Sequence, residues 1–408
     1  MKRLTLLLLG LALGVTATAR AQGLTMQMSN GWAFSFSGNV NAFWVFSKAT
    51  QGGPTNSSVR TGLLPSFATF EARGKESGMN LAVHFGFAPQ INNGVPAGSG
   101  PGYDGGSTHD NFGNGTQAGA QIDMRQVYLT VGGQWGQILA GRELALFGRQ
   151  NILNDQTLFG VGAVGVGGGG GGGTTLGRIG YGYVYPNFNA QVTYSTRPGT
   201  PAQLSIGLFQ PSVVGASPYL YTKIPRVEAE LTWNQRSGKN KYTAWAGGLW
   251  QTTSNAPDTG GASLSSFGGT VGLRGDFQEL SVVVSGYVSK GLGTVLGFSD
   301  VAGGPVSAND STGRPGDGGY VQFGYTFNKK TTLSGSWGFS RLKNASSGEG
   351  AAVNNSAVRT QWTAYTVGIY HQWTKSMKLV FEGTREQEGV GGASPAQTDV
   401  SAGFMLFF

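Results

Sequence analysis

Residues 32–46 read WAFSFSGNVNAFWVF, a stretch in which alternate residues differ in polarity. Successive side chains of a β-strand point to opposite faces, so this stretch predicts a strand with one apolar face. The apolar face holds Trp32, Phe34, Phe36, Gly38, Val40, Ala42, Trp44 and Phe46, and the other face begins with Ala33, Ser35, Ser37, Asn39 and Asn41.

The same two-residue period returns along the chain. In residues 79–88 the apolar set is Met79, Leu81, Val83, Phe85 and Phe87, opposed by Asn80, Ala82, His84 and Gly86. Near residue 226, Val227, Ala229, Leu231 and Trp233 alternate with Arg226, Glu228, Glu230 and Thr232. Aromatic residues gather at the ends of the apolar faces, which is typical of strands that cross a membrane.

The composition also favours a chain whose outer surface meets lipid. Of 408 residues 71 are glycine and only 12% are charged, about half the charged fraction of an ordinary soluble protein. The aromatic content of 11% argues against a disordered chain, and the absence of cysteine excludes disulfides and thiol chemistry. The basic residues are scattered, which excludes the concentrated basic face of a nucleic-acid-binding protein.

The N-terminal segment has the features of a secretory signal peptide. Lys2 and Arg3 precede the apolar run 4–15, and Ala19-Arg20-Ala21 supplies the small residues of a cleavage site. The run is too short for the roughly 20 residues of a spanning helix. We expect a signal peptide at 1–21 and a mature domain at 22–408, whose 25 Lys and Arg (28 minus 3) against 20 Asp and Glu give a net charge of +5.

Turn signals predict the number of strands. Lipid offers no hydrogen-bond partners, so membrane-spanning strands must close into a barrel. Seven tight turns and eight long loops predict sixteen antiparallel strands with both termini in the periplasm, provided that residues 178–185 belong to the third loop. The turns are expected at 76–78, 132–136, 197–199, 235–238, 275–277, 328–330 and 374–376, and the loops at about 47–62, 89–120, 143–187, 211–222, 253–263, 291–317, 342–358 and 387–397.

The last segment, 399–408, alternates in the same way and ends on Phe408. We expect it to pair with residues 32–46 and to close the barrel, which would leave no free edge.

Several local motifs resemble those of the Gram-negative trimeric porins, including the DcaP-type branch. They are IDMRQVYLTV at 122–131 with a glycine-rich turn and QILAGR at 137–142, an earlier hairpin over 67–87, and the terminal Phe408. The resemblance implies that the third loop, about 143–187, folds into the lumen, that three barrels associate, and that the barrel assembly machinery reads Phe408. The seven glycines at 167–173 depart from the family pattern and predict a flexible spacer in that loop.

Charged residues that face the lumen would set the selectivity of such a channel. Alternation places Glu71 and Arg73 inward and, if Leu139 and Gly141 point outward, Arg142 inward as well. Arg125 either joins this wall or lies at the extracellular rim, since it shares its parity with apolar neighbours. We expect Glu143 and Asp155, on the constriction loop, to lie opposite this basic wall. Each charged group could instead be paired locally or solvated.

These observations favour a passive porin for small hydrophilic solutes, slightly anion-preferring because of the positive net charge. The alternatives are a channel specific for sugars, dicarboxylates or phosphate, and an outer-membrane hydrolase that uses His109 beside Asp110. The porin hypothesis implies no enzymatic activity, cofactor or metal. Its partners would be outer-membrane lipid, small solutes, two further copies of the chain and the assembly machinery, and no nucleic acid.

Overall fold

A computed structural model describes residues 23–29, 31–50, 53, 55–92, 122–166, 173–214, 218–257, 260–295, 297–298, 304–306, 312–346, 359–390 and 393–408. The expected signal peptide, the His109-Asp110 pair and residues 167–172 of the polyglycine run lie outside these ranges. In the described part of the chain, no helix has the length and apolarity needed to cross a membrane.

The described residues form eighteen antiparallel strands, and sixteen of them close into a barrel. The barrel runs from β2 to β4, continues in sequence order to β18, and returns to β2. The strands are β1 (Leu24–Gln27), β2 (Ala33–Ala49), β3 (Thr55–Arg60), β4 (Phe67–Glu76), β5 (Met79–Pro89), β6 (Ile122–Gly133), β7 (Gly136–Leu144), β8 (Phe188–Ser195), β9 (Ala202–Phe209), β10 (Arg226–Ser237), β11 (Asn240–Ser254), β12 (Ser263–Phe277), β13 (Leu280–Lys290), β14 (Pro315–Phe327), β15 (Thr331–Leu342), β16 (Arg359–Gln372), β17 (Met377–Val390) and β18 (Ala396–Phe407).

Strand β18 closes the barrel on β2, as the alternation predicted. Val400 lies opposite Phe46, and Leu406 opposite Val40. Past the end of β18, Phe408 and Gly38 exchange two backbone hydrogen bonds of 3.0 and 2.9 Å. Because both edges of the sheet are paired with each other, no free edge remains at the seam.

The two additional strands, β1 and β3, were not predicted. Strand β2 is longer than its barrel neighbours can cover, because β18 reaches residues 39–49 on one side and β4 reaches 33–39 on the other. Strand β1 pairs with residues 33–36, and β3 pairs with residues 43–48. Both extra strands therefore supply partners for backbone groups of β2 that would otherwise be unpaired.

The predicted short turns all connect neighbouring strands, and the strand ends that flank the predicted long loops all lie at the opposite end of the barrel. The turn between β4 and β5 contains Ser77 and Gly78 at φ of 48° and 79°, and that between β14 and β15 contains Asn328 and Lys329 at 50° and 55°. Two successive residues of positive φ match the right-handed twist of a hairpin. The predicted count of sixteen barrel strands is confirmed.

Burial separates the two faces of the wall. The outward side chains of Val40 and Leu231 are 50% and 47% exposed, whereas the inward Asn41 and Glu230 are 1% and 4% exposed. The predicted alternation is thus confirmed at both places. Outward aromatic pairs lie near both ends of the wall: Trp135 with Tyr194 at the short-turn end, and Trp337 with Tyr365 nearer the long loops.

The described part of the third loop, residues 145–166 and 173–187 and hereafter L3, folds into the lumen. It contains a short helix α1 (Arg149–Leu153) and a 3-10 turn (Gln156–Phe159), and residues 178–185 form no strand. Apolar side chains of L3 and of the inner wall form the main core of the molecule. This core includes Leu158, Leu176, Tyr181 and Tyr183 of L3, and Phe43, Trp245, Tyr320, Ala364 and Val380 of the wall.

Candidate functional site

L3 is attached to the inner wall by hydrogen bonds. Near its start, Glu228 of β10 accepts a 2.8 Å bond from the Phe147 amide, and Arg149 donates to Glu230 at 2.6 Å. Asn151 then contacts Thr270 of β12 at 3.0 Å. Inward polar residues of β10 and β12 thus hold the first part of the loop.

The second part of L3 rests on carboxylates of β17. Glu382 accepts from the amides of Val161 at 2.7 Å and Gly162 at 2.8 Å, and its other oxygen accepts from the Tyr370 hydroxyl. Glu386 accepts from the Gly165 amide at 3.1 Å. A loop has unpaired backbone N–H groups when it leaves a sheet, and these buried carboxylates satisfy them.

L3 also joins the two sides of the closing seam. On the β18 side, Gln397 donates to the Gly165 carbonyl at 3.2 Å. On the side of the first loop, the Leu63 amide donates to the Gly160 carbonyl at 2.9 Å, and Arg60 donates to the Gly173 carbonyl at 3.0 Å. The loop therefore spans the seam from inside the barrel.

One inward cation of the wall of β4 to β7 is more exposed than the charged groups that hold L3. Arg73 of β4 retains 39% exposure of its side chain, whereas Arg149 and Glu230 retain 13% and 4%. Glu71 and Arg73 form an ion pair and point inward, as predicted from alternation.

A polar network extends along this wall from Glu71 to Glu143. The ring of His84 lies 3.1 Å from a Glu71 oxygen through Nδ1 and 3.4 Å from the Gln126 side-chain oxygen through Nε2. His84 stacks on Tyr128 with ring centroids 4.6 Å apart. Gln126 in turn donates to Glu143 at 2.8 Å. Glu143 lies on the inner wall at the end of β7, so it does not oppose that wall from L3.

Arg125 points inward because of a β-bulge. The register between β5 and β6 shifts between Gly86 and Phe87, so Arg125 has no direct partner on β5. Its side chain is buried, donates to Asp123 at 2.9 Å, and lies 3.3 Å from the Tyr185 hydroxyl of L3. Of the two positions left open by the sequence, the structure places it in the lumen.

The prediction that Arg142 points into the lumen is wrong. Arg142 lies opposite Val127 on β6 and Ala190 on β8, and side chains of directly opposed residues share a face. Val127 continues the outward row of Phe85, which is 41% exposed. Arg142 is therefore on the outer wall. The prediction failed because it assumed that Leu139 and Gly141 point outward, which exchanges the inward and outward faces of β7.

Asp155 lies in the interior of L3 rather than at the passage. Its carboxylate accepts from the Thr157 amide at 2.9 Å, the Thr157 hydroxyl at 2.8 Å and the Tyr183 hydroxyl at 2.8 Å. Burial raises the pKa of the Asp155 carboxyl, and the nearby Arg178 guanidinium opposes the rise. The predicted opposition of an acidic loop to a basic wall is not formed, since the acidic groups are paired locally.

The carboxylates that accept hydrogen bonds from L3 were not predicted from the sequence. Glu382 and Glu386 lie four residues apart on one face of β17, and Glu228 and Glu230 lie two residues apart on β10. Buried carboxylates on an inward face need partners, so this spacing was an available signal for an internal structural element. The described residues contain no group of three or more metal-binding side chains that could hold a metal ion.

A family model described as Gram-negative porin matches residues 6–389. The sequence has no significant match among curated proteins.

Solved structures of outer-membrane channels share the fold at low sequence identity. The channel DcaP of Acinetobacter baumannii has a TM-score of 0.65 at 14% identity, covering 94% of this chain and 99% of that one. The anion-selective porin of Comamonas acidovorans has a TM-score of 0.58 at 11% identity, covering 92% and 100%. A trimer form of OmpT from Vibrio cholerae has a TM-score of 0.51 at 12% identity, covering 93% and 100%.

Proposed function

Because the chain belongs to the Gram-negative porin family and forms an outer-membrane channel, we propose that small hydrophilic solutes diffuse through a passage between L3 and the wall of β4 to β7. The observation that carries this proposal is the uneven attachment of L3, which is bonded to many strands from β10 to β18 and contacts the wall of β4 to β7 through Arg125 and Tyr185. The loop is bonded to β10, β12 and β17, while the side chain of Arg73 on β4 stays 39% exposed.

The passage should prefer anions slightly. Arg73 is more exposed than its partner Glu71, whose side chain retains 12%. A solute passing β4 would therefore meet more positive than negative charge at the wall. The remaining charges of the network are paired within hydrogen-bond distance, so the preference should be weak.

Planar-bilayer recording in a salt gradient tests both parts of the proposal. We expect a conductance that rises linearly with salt concentration and a reversal potential whose sign indicates anion selectivity. A protein that folds but gives no conductance would contradict the passage. Saturable block by one sugar, dicarboxylate or phosphate would instead support the substrate-specific alternative.

We further propose that long loops face outward from the cell, that the termini and short turns are periplasmic, and that residues 1–21 are removed on export. The charged residues Lys2 and Arg3 and the small residues around Ala21 support the removal of residues 1–21. Digestion of intact cells with an external protease should cut long loops only. Cleavage at a short turn such as 197–199 would contradict this orientation.

The outer wall near the seam supports a homotrimer. Phe36 stacks on Phe70 at 4.8 Å and lies 5.1 Å from the ring of Phe408, and Phe70 contacts Phe87 edge-on at 6.1 Å. This aromatic surface on β2, β4, β5 and the end of β18 would be buried between copies. Substituting Phe36 and Phe70 by serine should convert trimers to monomers in light-scattering measurements, while the same change at Val271 and Leu273, outward on β12, should not.

A further inference from the structure

His84 lies at the centre of a row of polar side chains on the inner wall of β4 to β7. In the strand register it lies opposite Glu71 of β4 and opposite Tyr128 of β6. The side chains of His84 and Glu71 are 8% and 12% exposed, whereas that of Arg73, which pairs with the same carboxylate, is 39% exposed. A charge on the His84 ring would therefore act on a passing solute through Glu71 and Arg73 and not by direct contact.

Both ring nitrogens of His84 face hydrogen-bond acceptors. Nδ1 lies 3.1 Å from Oε2 of Glu71, and an ionised carboxylate can only accept. Nε2 lies 3.4 Å from the side-chain oxygen of Gln126. A neutral imidazole carries one N–H and a protonated ring carries two, so only the protonated ring donates to both neighbours.

The orientation of the Gln126 amide is set by Glu143. The Gln126 nitrogen donates to Oε2 of Glu143 at 2.8 Å, and Oε1 of Glu143 accepts from the Leu144 amide at 2.8 Å. Turning the Gln126 amide over would place its oxygen against a second acceptor. Gly86 makes room for this arrangement, because a Cβ at that position would lie 2.4 Å from the Gln126 oxygen. The Gln126 oxygen therefore stays directed at Nε2 of His84.

Every element around His84 contributes a charged or titratable group. These groups are Glu71 and Arg73 of β4, Tyr128 of β6, Glu143 of β7 and Arg149 of L3. The Tyr128 ring stacks on His84 with centroids 4.6 Å and planes 10° apart, and the face of an aromatic ring attracts a cation. Arg149 is itself paired with Glu230 at 2.6 Å. Protonation of His84 thus adds one positive charge 3.1 Å from the carboxylate that also pairs with Arg73.

We propose that His84 is a positioning residue that sets the ion selectivity of the passage and makes it depend on pH. When the ring is protonated, Glu71 is shared between two cations and offsets Arg73 less, so the anion preference rises. When the ring is neutral, Glu71 offsets Arg73 more fully and the anion preference falls. Histidine side chains change charge between about pH 5 and about pH 8, where most carboxylates stay ionised. This inference rests on the proposed passage beside β4 to β7.

Reversal potentials of the full-length protein in a planar bilayer test the inference. They are measured in a potassium chloride gradient at about pH 5.5 and about pH 8. A unit charge a few ångström from a passing ion changes its energy by about RT in water, so the permeability ratio of chloride to potassium should be about threefold higher at the lower pH. His84→Gln should lose this pH dependence and keep the selectivity that the unmodified protein shows at the higher pH.

His371→Gln is the matched control. His371 lies on the outer wall in the row of the exposed Ile369, and its Nδ1 lies 2.8 Å from the Thr331 hydroxyl. This variant should keep the full pH dependence. The His84→Gln variant retains His109 and His371, so an effect of either residue would persist in it. Equal pH dependence in His84→Gln and in the unmodified protein would overturn the proposal, and so would its loss in His371→Gln.

A further variant keeps the test valid if His84→Gln does not fold. Glu143→Gln releases the Gln126 amide, which can then turn its N–H groups towards Nε2 and favour the neutral ring. The midpoint of the selectivity change should move to lower pH by about one unit. A midpoint that stays in place or moves to higher pH would overturn the proposal.

Conductance recorded on the same preparations separates this inference from the proposed function. An anion-preferring channel whose selectivity does not change between the two pH values would overturn the role of His84 and leave the passage standing. A folded protein without conductance at either pH would overturn both.

Discussion

At the scale of single residues, the phase of one strand decides whether a charge meets water or lipid. Arg125 and Arg142 lie on neighbouring strands, yet the first is inward and buried and the second is outward. A bulge on β6 turns Arg125 into the lumen, and the register of β7 turns Arg142 out of it. Charge selectivity should therefore respond to Arg73 and not to Arg142.

Arg73→Ala should reduce or reverse the anion preference, because it removes the exposed cation and leaves Glu71 without its ion pair. The measurement is the reversal potential across a bilayer in a tenfold salt gradient. Arg142→Ala is the control, and its reversal potential should equal that of the unmodified protein. A larger effect of Arg142→Ala than of Arg73→Ala would contradict the placement of both residues.

Asp155 should make stability depend on pH in a defined direction. Burial raises the pKa of its carboxyl, so the folded protein binds a proton more readily than the unfolded chain does. The contribution of Asp155 to the free energy of unfolding is therefore greatest below the usual pKa of aspartate and falls as pH rises through the raised value.

Asp155→Asn cannot titrate and should flatten that dependence. Urea unfolding followed by tryptophan fluorescence, at several pH values between neutral and 4, measures the effect as the difference between variant and unmodified protein. Parallel pH profiles for the two proteins would contradict the prediction. Asp276→Asn, at a carboxylate bonded to Arg274 near a short turn, is a control outside L3.

At the scale of elements, L3 behaves as an internal layer and not as a surface loop. Its side chains form the core with inward apolar residues of the wall, and its backbone amides are bonded to strand carboxylates. Its position should therefore depend on a few buried acceptors.

Glu382→Ala should loosen L3 and increase single-channel conductance and current noise. The change leaves the amides of Val161 and Gly162 without an acceptor, and each unsatisfied buried group costs about 1–3 kcal/mol. Thr384→Ala is the control, because Thr384 is inward on the same strand but bonds to Thr366 at 3.0 Å. Unchanged conductance and noise in Glu382→Ala would contradict the proposed role of the carboxylate.

The regular elements could be predicted from the sequence, and the inward fold of the third loop could be predicted from the family resemblance, but the contacts that hold this loop could not. Strands such as β2 and β10 follow a two-residue period, and hairpin turns carry local signals such as Ser77-Gly78. The bulge beside Phe87 depends on the partner strand, and the buried position of Asp155 depends on contacts with Tyr183, far along the chain. Neither leaves a local pattern. Alternation along β4 put Arg73 and Glu71 on the inward face. For Arg142 the prediction chose the wrong face, because the inward and outward faces of β7 could not be told apart from its sequence.

At the scale of the whole molecule, the barrel closes where the end of the chain meets β2. Phe408 contributes two backbone hydrogen bonds with Gly38 and a ring contact with Phe36. Together these contacts stabilise the closed barrel by about 2–4 kcal/mol at the C-terminal end of β18.

Deleting Phe408 should therefore lower the yield of folded barrel. Electrophoretic mobility with and without heating measures the folded fraction, both in cells and after refolding from urea into lipid vesicles. A stronger loss in cells than in vesicles is expected if assembly factors read the terminal ring. Phe404→Ala removes an outward ring from the same strand and should have a smaller effect; equal loss in both variants would contradict a special role for the terminus.

The contacts of L3 with both sides of the seam have a consequence for how such channels can change. Gln397 and Leu63 hold the loop from opposite sides of the closing strands, so the contacts of the loop stabilise the closed seam. Pore size and barrel closure then depend on the same element. Mutations that shorten L3 to admit larger nutrients would also lower the number of channels delivered to the membrane, and evolution towards a wider pore should require compensating changes on β18 or in the first loop.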